Sequence, residues 1–338
     1  MKRGWKLTAV AVWGTFVLMV LGLGSSFAAS KEPLFLKIGT AGSGGTYYYV
    51  GTAVSNIVNK YVPGVKMTPE ATAGGLENMR RIYRDELDFG MMAPADFKRI
   101  KEDKTSGPDR VSFVSGIHST VQHMLVRADV AKAKGMKTAG DFVKKGAKMG
   151  VGAPGSSVQS SNLVLLKVVG LTLDDIEAHK ISQSEASEAF KDGVIHGMFV
   201  GGGIPLASIV SATQSVDAVL LPFTEDDIKK FQEVAPYQFG YTIPAKTYRG
   251  QDKDVYTVGY SPMLVCRSGL DANLVYNVIK AIHDHWQEIA DIHPAGKEWV
   301  MGSVYRSADW AQSFGYKFHP GMVKYLKEKK NWNPKYEK

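Results

Sequence analysis

Two short stretches hold residue types suited to gripping an anion. Gly39-Thr40-Ala41-Gly42-Ser43-Gly44-Gly45-Thr46 follows the apolar run at 34–38 and opens a helical pattern over 47–61. Gly150-Val151-Gly152-Ala153-Pro154-Gly155-Ser156-Ser157 follows a run at 147–149 and opens a second helical pattern over 158–169. The first turn of a helix presents backbone N–H groups that have no intrahelical partner, at the positive end of the helix dipole. Glycine lets a ligand approach that backbone, and hydroxyl side chains add donors. Two such loops facing each other across a cleft would bind a carboxylate without a fixed cation. For either loop alone a capped turn is the plain alternative; recurrence in both halves favours a ligand site. In Tyr47-Tyr48-Tyr49 at most two side chains share a helix face. Tyr47, nearest the loop, is the one expected to line the cleft.

Other chemistries fit poorly. Tyr47 stands where a dinucleotide fingerprint needs its third glycine after Gly42-Ser43-Gly44, and no P-loop lysine follows. Ser43 and Ser156 are conceivable nucleophiles, but neither lies in Gly-x-Ser-x-Gly, and spacing assigns no triad. His118 and His123 are five apart with no third metal ligand near in sequence. His283 and His285 face different sides of a helix, while His293 and His319 precede prolines and read as turn residues. The one cysteine, Cys266, sits in the apolar run Met263-Leu264-Val265-Cys266 and reads as a buried structural thiol. We therefore expect no catalytic residues, no metal and no cofactor: a binding protein, not an enzyme.

The loops need elements to aim them. Strand-like runs at 34–40, 65–71 and 87–92 alternate with helical patterns at 47–61 and 77–84. This alternation implies βαβ units and a mainly parallel sheet. Strand-like pieces at 111–117 and 124–127 follow, and a second α/β series starts after them. It has strands at 147–151, 176–181, 195–200 and 219–222, with helices at 158–169, 185–192 and from 204 onward. The β-rich run at 256–266 reads as a path back to the first half. An amphipathic helix is expected over 273–289.

The N-terminus speaks to location. Lys2, Arg3 and Lys6 precede an apolar run at 7–23, and Ser26 and Ala28 supply small residues at −3 and −1 of a cleavage site. These features make residues 1–28 a secretory signal peptide. An uncleaved anchor is the alternative, and with no cysteine there lipidation is excluded. The mature chain, expected in the periplasm, has the length for two cores. Formal net charge is +8, with three of the positive charges in the leader and the rest dispersed. The Lys324, Lys327, Lys329 and Lys330 cluster reads as a solvated helix end, and nothing resembles a nucleic-acid footprint.

At its glycine loops the chain resembles the TAXI-type solute receptors of TRAP transporters. The resemblance runs through Ile38 to Tyr47, Thr72-Ala73-Gly74-Gly75-Leu76-Glu77-Asn78 and Val151 to Ser157. It continues through Glu188 to Gly193, Gly203-Ile204-Pro205, Tyr248-Arg249-Gly250-Gln251, Val275-Tyr276 and His319-Pro320-Gly321. It implies an α/β, two-lobed periplasmic binding protein of type II, a monomer, with the ligand cleft between lobes joined by hinge strands. We expect lobe one to hold 31–122 plus 261–338, and lobe two 123–260. The resemblance also implies a small organic acid as ligand, of glutamate, dicarboxylate or oxo-acid type, and the integral-membrane subunits of an ion-gradient-driven permease as partner. Carried over by position, Ser43, Gly44, Thr46, Tyr47, Gly74, Gly75 and Asn78 would contact the ligand from lobe one. Gly155, Ser156, Ser157 and Gly203 would do so from lobe two. The usual Gln-Ser-Asp segment is here Met92-Ala93-Pro94-Ala95-Asp96, which argues for a ligand less polar than an amino acid. A receptor presenting its ligand to a signalling protein, or a secreted hydrolase, are the competing classes.

Overall fold

The computed structural model describes residues 32–101, 107–144 and 147–337. The expected leader, 1–28, and its cleavage after Ala28 lie outside the described residues. Among the described residues twelve strands occur in chain order. The first six are β1 (Leu34–Gly39), β2 (Val65–Glu70), β3 (Phe89–Met92), β4 (Val111–Gly116), β5 (Thr120–Arg127) and β6 (Lys148–Gly150). The others are β7 (Glu177–His179), β8 (Gly197–Gly202), β9 (Ala218–Leu220), β10 (Phe239–Ile243), β11 (Val255–Tyr260) and β12 (Met263–Arg267).

They form two sheets. The first has the order β2-β1-β3-β12-β4; β1 runs parallel to β2 and β3, and β12 lies antiparallel between β3 and β4. The second has the order β10-β11-β5-β8-β6-β7, with β9 paired to β5. In the second sheet β6 is parallel to both β7 and β8. Strands of the first sheet thus come from 34–116 and 263–267, and strands of the second from 120–260.

Helices follow the parallel strands. α1 (Thr46–Tyr61) follows β1, α2 (Gly75–Tyr83) follows β2 and α3 (Pro94–Lys101) follows β3. In the second half α4 (Ala128–Ala133) and α5 (Ala139–Lys144) precede β6, α6 (Ser157–Val169) follows it, and α7 (Gln183–Lys191) follows β7. α8 (Ala207–Ser215) and α9 (Glu225–Val234) complete that half, and α10 (Ala272–Asp284), α11 (Trp286–Ile292), α12 (Ala308–Ser313) and α13 (Pro320–Glu328) return to the first. No helix among the described residues is long and apolar enough to cross a membrane.

Each half has its own core. Ile38, Val50, Ile57, Phe89, Phe113 and Val278 pack in the first, and Phe142, Leu165, Phe199 and Phe231 in one cluster of the second. β3 is buried along its whole length, as a central strand covered on both faces must be. Cys266 belongs to the first core, and burial pushes its thiol far above the usual range, so it stays an inert thiol.

Among the described residues, two segments carry the chain between sheets: 117–119 and 261–262. They lie side by side, the Ile117 N–H donating to Pro262 O at 3.0 Å and Ser261 Oγ to Ile117 O at 3.3 Å. The apolar run at 256–266, expected as one path, is therefore divided at Ser261-Pro262 between two sheets. The helix expected over 273–289 breaks at His285, whose φ of −125° leaves the helical region. The His285 ring stacks on Tyr61 with centroids 3.5 Å apart, a contact from α1 that no helical periodicity encodes. α3 begins at Pro94, where a missing N–H costs nothing.

Asn78 ties the first loop down. Its amide donates to Thr40 O at 2.9 Å and to Met91 O at 2.8 Å, and its oxygen accepts from Thr72 Oγ1 at 2.7 Å. It is fully buried, so α2, the end of β1 and β3 are fixed at one point. Asn78→Ala would remove a buried donor from both Thr40 O, which keeps only the Thr72 hydroxyl at 3.2 Å, and Met91 O, and should cost about 1–3 kcal/mol. Urea unfolding checks this; a loss below about 1 kcal/mol would show the tie to be dispensable.

Candidate functional site

Four helices begin where a parallel strand ends, two in each lobe: α1 after β1, α2 after β2, α6 after β6 and α7 after β7. Their N-termini border a single cavity between the sheets. Gly44, Gly45, Thr46 and Tyr47 come from α1 and its loop, and Thr72, Ala73 and Gly74 from the approach to α2. Opposite them stand Ser156 and Ser157 of α6, and Ser182, Gln183 and Ser184 of α7. Thr120, Gly201, Gly202 and Tyr260 line it from β5, β8 and β11. The space is about 650 Å³, part of it open to solvent.

No lining residue is Asp, Glu, Lys, Arg or His. The polar groups are backbone N–H groups, hydroxyls and one amide. α1 and α2 are capped by Gly45 and Gly74 with no side-chain cap bond; in α2 the Gly75 and Glu77 N–H groups donate instead to Ser157 Oγ at 3.2 Å and Gly155 O at 3.1 Å of the second half, so the first turn of α1 is the more open of the two. A Cβ on Gly44 would come within 2.7 Å of Ser184 Oγ and 2.8 Å of its backbone N, so only glycine lets the first loop abut α7. Among the described residues, no cluster of three His, Cys, Asp or Glu could hold a metal.

The hydroxyls divide by where their protons go. Ser156 Oγ donates to Ala153 O at 2.6 Å and accepts from Gln159 N at 3.0 Å, as an N-cap. Ser157 Oγ donates to the Asp96 carboxylate at 2.6 Å. Neither proton is free for a ligand. Thr46 Oγ1 only accepts, from Gly203 N at 2.9 Å, and keeps its proton. Tyr47 Oη and Thr120 Oγ1 are buried without a partner in bonding geometry, although the Ser157 and Tyr260 hydroxyls stand near Tyr47. The Gln183 amide donates to Gly201 O at 3.0 Å, which orients its unpartnered oxygen. Burial holds the Tyr47 and Tyr260 phenols far above the ordinary tyrosine range, so both remain protonated donors.

Of the residues expected from sequence, Gly44, Thr46, Tyr47, Gly74, Ser156 and Ser157 line the cavity. Ser43 is exposed and outside the lining. Gly75, Asn78, Gly155 and Gly203 stand behind the wall. Asn78 serves as the tie described above, Gly155 O accepts from Glu77 N at 3.1 Å, and Gly203 N meets Thr46. Sequence reasoning did not find Thr120, Tyr260, Gln183 or Ser184. Thr120 and Tyr260 lie beside the two sheet crossings, where no motif marks them. A signal did exist for α7: Ser182-x-x-Glu185 is a capping box, and both of its bonds are present.

A model of the NMT1-like family matches residues 38–329. The chain belongs to the NMT1-like family. Solved structures share its fold at low identity. The periplasmic binding protein BugD superposes with a TM-score of 0.52 at 12% identity, covering 89% of this chain and 97% of its own. A protein of Bordetella bronchiseptica RB50 reaches 0.50 at 17%, covering 90% and 91%. The alkanesulfonate-binding protein SsuA from Xanthomonas axonopodis pv. citri, solved with MOPS bound, reaches 0.50 at 14%, covering 90% and 96%. The fold of this NMT1-like chain is the two-lobed α/β fold of periplasmic binding proteins.

Two measurements test this account of the wall. In an alkaline absorbance titration, Tyr47 and Tyr260 should ionise only as the fold melts; all fifteen tyrosines of the chain titrating together near pH 10 would refute their burial. Ser156→Ala should lower stability by about 1 kcal/mol through the lost cap. An unchanged denaturation midpoint would mean that the cap contributes nothing.

Proposed function

We propose that this protein is an extracytoplasmic solute receptor that holds a small carboxylate between its lobes and delivers it to the membrane subunits of a TRAP-type, ion-gradient-driven permease. One observation carries the binding class. Four helix N-termini from two lobes border a cavity that has no charged side chain, which is how backbone dipoles hold an anion without a cation. The sulfonate-binding neighbour supports an anionic ligand in this fold; the TRAP assignment rests on the resemblance along the chain.

The same wall narrows the ligand. An α-amino acid brings an ammonium group, and burying it needs an acceptor charge. No carboxylate lines the cavity, and Ala41, Ala73, Ala153 and Val158 give it apolar sides. The ligand we infer is a carboxylate with an uncharged remainder, such as an oxo- or hydroxy-acid. Its carboxylate would lie against the first turn of α1, within reach of the Thr46 and Tyr47 hydroxyls. Nothing in the cavity resembles a nucleophile with its base, which supports binding without turnover.

Purification without denaturation followed by mass spectrometry, then calorimetry against oxo-acids, hydroxy-acids, dicarboxylates and amino acids, tests the reading. The expected result is one tight acid returned unchanged; tight binding of amino acids alone, or consumption of the acid, would overturn it. With the acid found, Tyr47→Phe should weaken binding by about 1.5–3 kcal/mol, the worth of a bond to a charged group, or roughly ten- to a hundred-fold. Ser43→Ala should leave affinity unchanged.

A further inference from the structure

The carboxylate of Asp96 is completely buried outside the cavity lining. It belongs to α3 of the first lobe, yet two of its three hydrogen bonds come from α6 of the second. Ser157 Oγ donates at 2.6 Å to one oxygen, Ser160 Oγ at 2.5 Å to the other, and Ala93 N supplies the third bond at 2.9 Å. Gly75 N donates to the same Ser157 oxygen at 3.2 Å. One turn further along α3, the Arg99 guanidinium bonds Ser160 Oγ at 3.0 Å and Gln159 Oε1 at 2.9 Å. The packing is tight enough to restrict residue 75: a Cβ there would sit 2.1 Å from Asp96 Oδ2 and 2.4 Å from Ser157 Oγ.

We propose that Asp96 is an interlobe latch: it occupies the N-terminal turn of α6 in place of a ligand and holds the two lobes closed. The logic is one of solvation. A buried carboxylate is tolerated only when its oxygens are hydrogen-bonded. With the cleft shut, Ser157 and Ser160 supply those bonds at the positive end of α6. Separating the lobes removes both, and water takes their place. The closed state therefore contains a charge–helix interaction that the open state lacks, and the latch biases that equilibrium without touching the ligand. The division of labour among the four helices follows: α6 is engaged by the protein's own carboxylate and α2 by Ser157 and Gly155 of the second lobe, leaving α1 and α7 the more open to the solute.

The proposal deepens the receptor reading and rests on it for the purpose of closure, but its test needs no solute. Spin labels at Lys66→Cys and Lys167→Cys, exposed positions on the first and second lobes, report the interlobe distance; Cys266 is buried and out of reach of the reagent. Protein dialysed from urea to strip co-purified solute is measured by pulsed electron resonance. Wild type should show a population at the closed separation. Asp96→Ala should shift it to longer distances, and Ser160→Ala, which removes the interlobe bonds of that hydroxyl to Asp96 and from Arg99, should lower the closed-to-open ratio about tenfold or more, the worth of at least one bond to a charged group. If Asp96→Ala does not fold, Ser160→Ala decides alone. Wild type with no closed population, or an unchanged distribution in the folded variants, would overturn the latch. A merely structural Asp96 would lower the melting temperature and leave the distances in place. Failure of every acid to bind would sink the receptor reading and leave this result standing.

Discussion

Holding an anion without a cation demands backbone dipoles, and dipoles act only over the first turn of a helix. Several helices must therefore begin at one point in space. Parallel strands satisfy this demand, because each βα turn starts its helix at the carboxyl end of its strand. β1 and β2 set two N-termini on one side of the cavity, and β6 and β7 set two on the other. Neither sheet can do this alone, so the site exists only where the lobes meet. The two short crossings at 117–119 and 261–262 leave the halves joined by little else along the chain.

Beside the Tyr237 and Trp310 rings, which pack with centroids 4.9 Å apart, the two halves meet through polar contacts. Thr46 meets Gly203, Glu77 meets Gly155, and the Asp96 cluster meets α6. Water can replace each of these polar contacts, whereas a large apolar interface would resist separation. The hinge side carries a different chemistry. His118, on the first crossing, is fully buried, accepts from Trp299 Nε1 at 3.4 Å, and burial holds its ring at about 3, below the ordinary imidazole range. It is neutral across physiological pH and packs edge-on against Tyr47 with centroids 6.1 Å apart. The hinge and the ligand wall thus share a rigid aromatic contact.

Much of this was legible in the residues in order. Alternating apolar runs and glycine-ended loops disclosed the α/β series, its restart after the first crossing, and both loops that open helices at the cavity. They did so because strand and helix periodicities and N-terminal turn chemistry are local properties. Six of the eleven expected ligand contacts line the cavity. Ser43 does not, since a glycine-rich loop leaves the direction of any one side chain undetermined. Asn78, Gly75, Gly155 and Gly203 stand behind the wall, close enough for a position-by-position reading to place them at the site and too deep for them to line the cavity.

Only the folded chain decided which hydroxyls keep a free proton. Ser156 and Ser157 look like ligand donors in sequence, but Ala153 and Asp96 take their protons, and Asp96 is sixty-one residues from Ser157. Thr120 and Tyr260 reach the cavity because two distant strands, β5 and β11, lie side by side at the crossings. At the break in the helix His285 stacks on Tyr61, more than two hundred residues earlier in the chain. The sequence by itself determined most of the elements and their order, because each is encoded within a few neighbouring residues. The tertiary structure alone decided which groups face the ligand and which are consumed by the protein, because a hydrogen bond between residues far apart in the chain leaves no trace in local pattern.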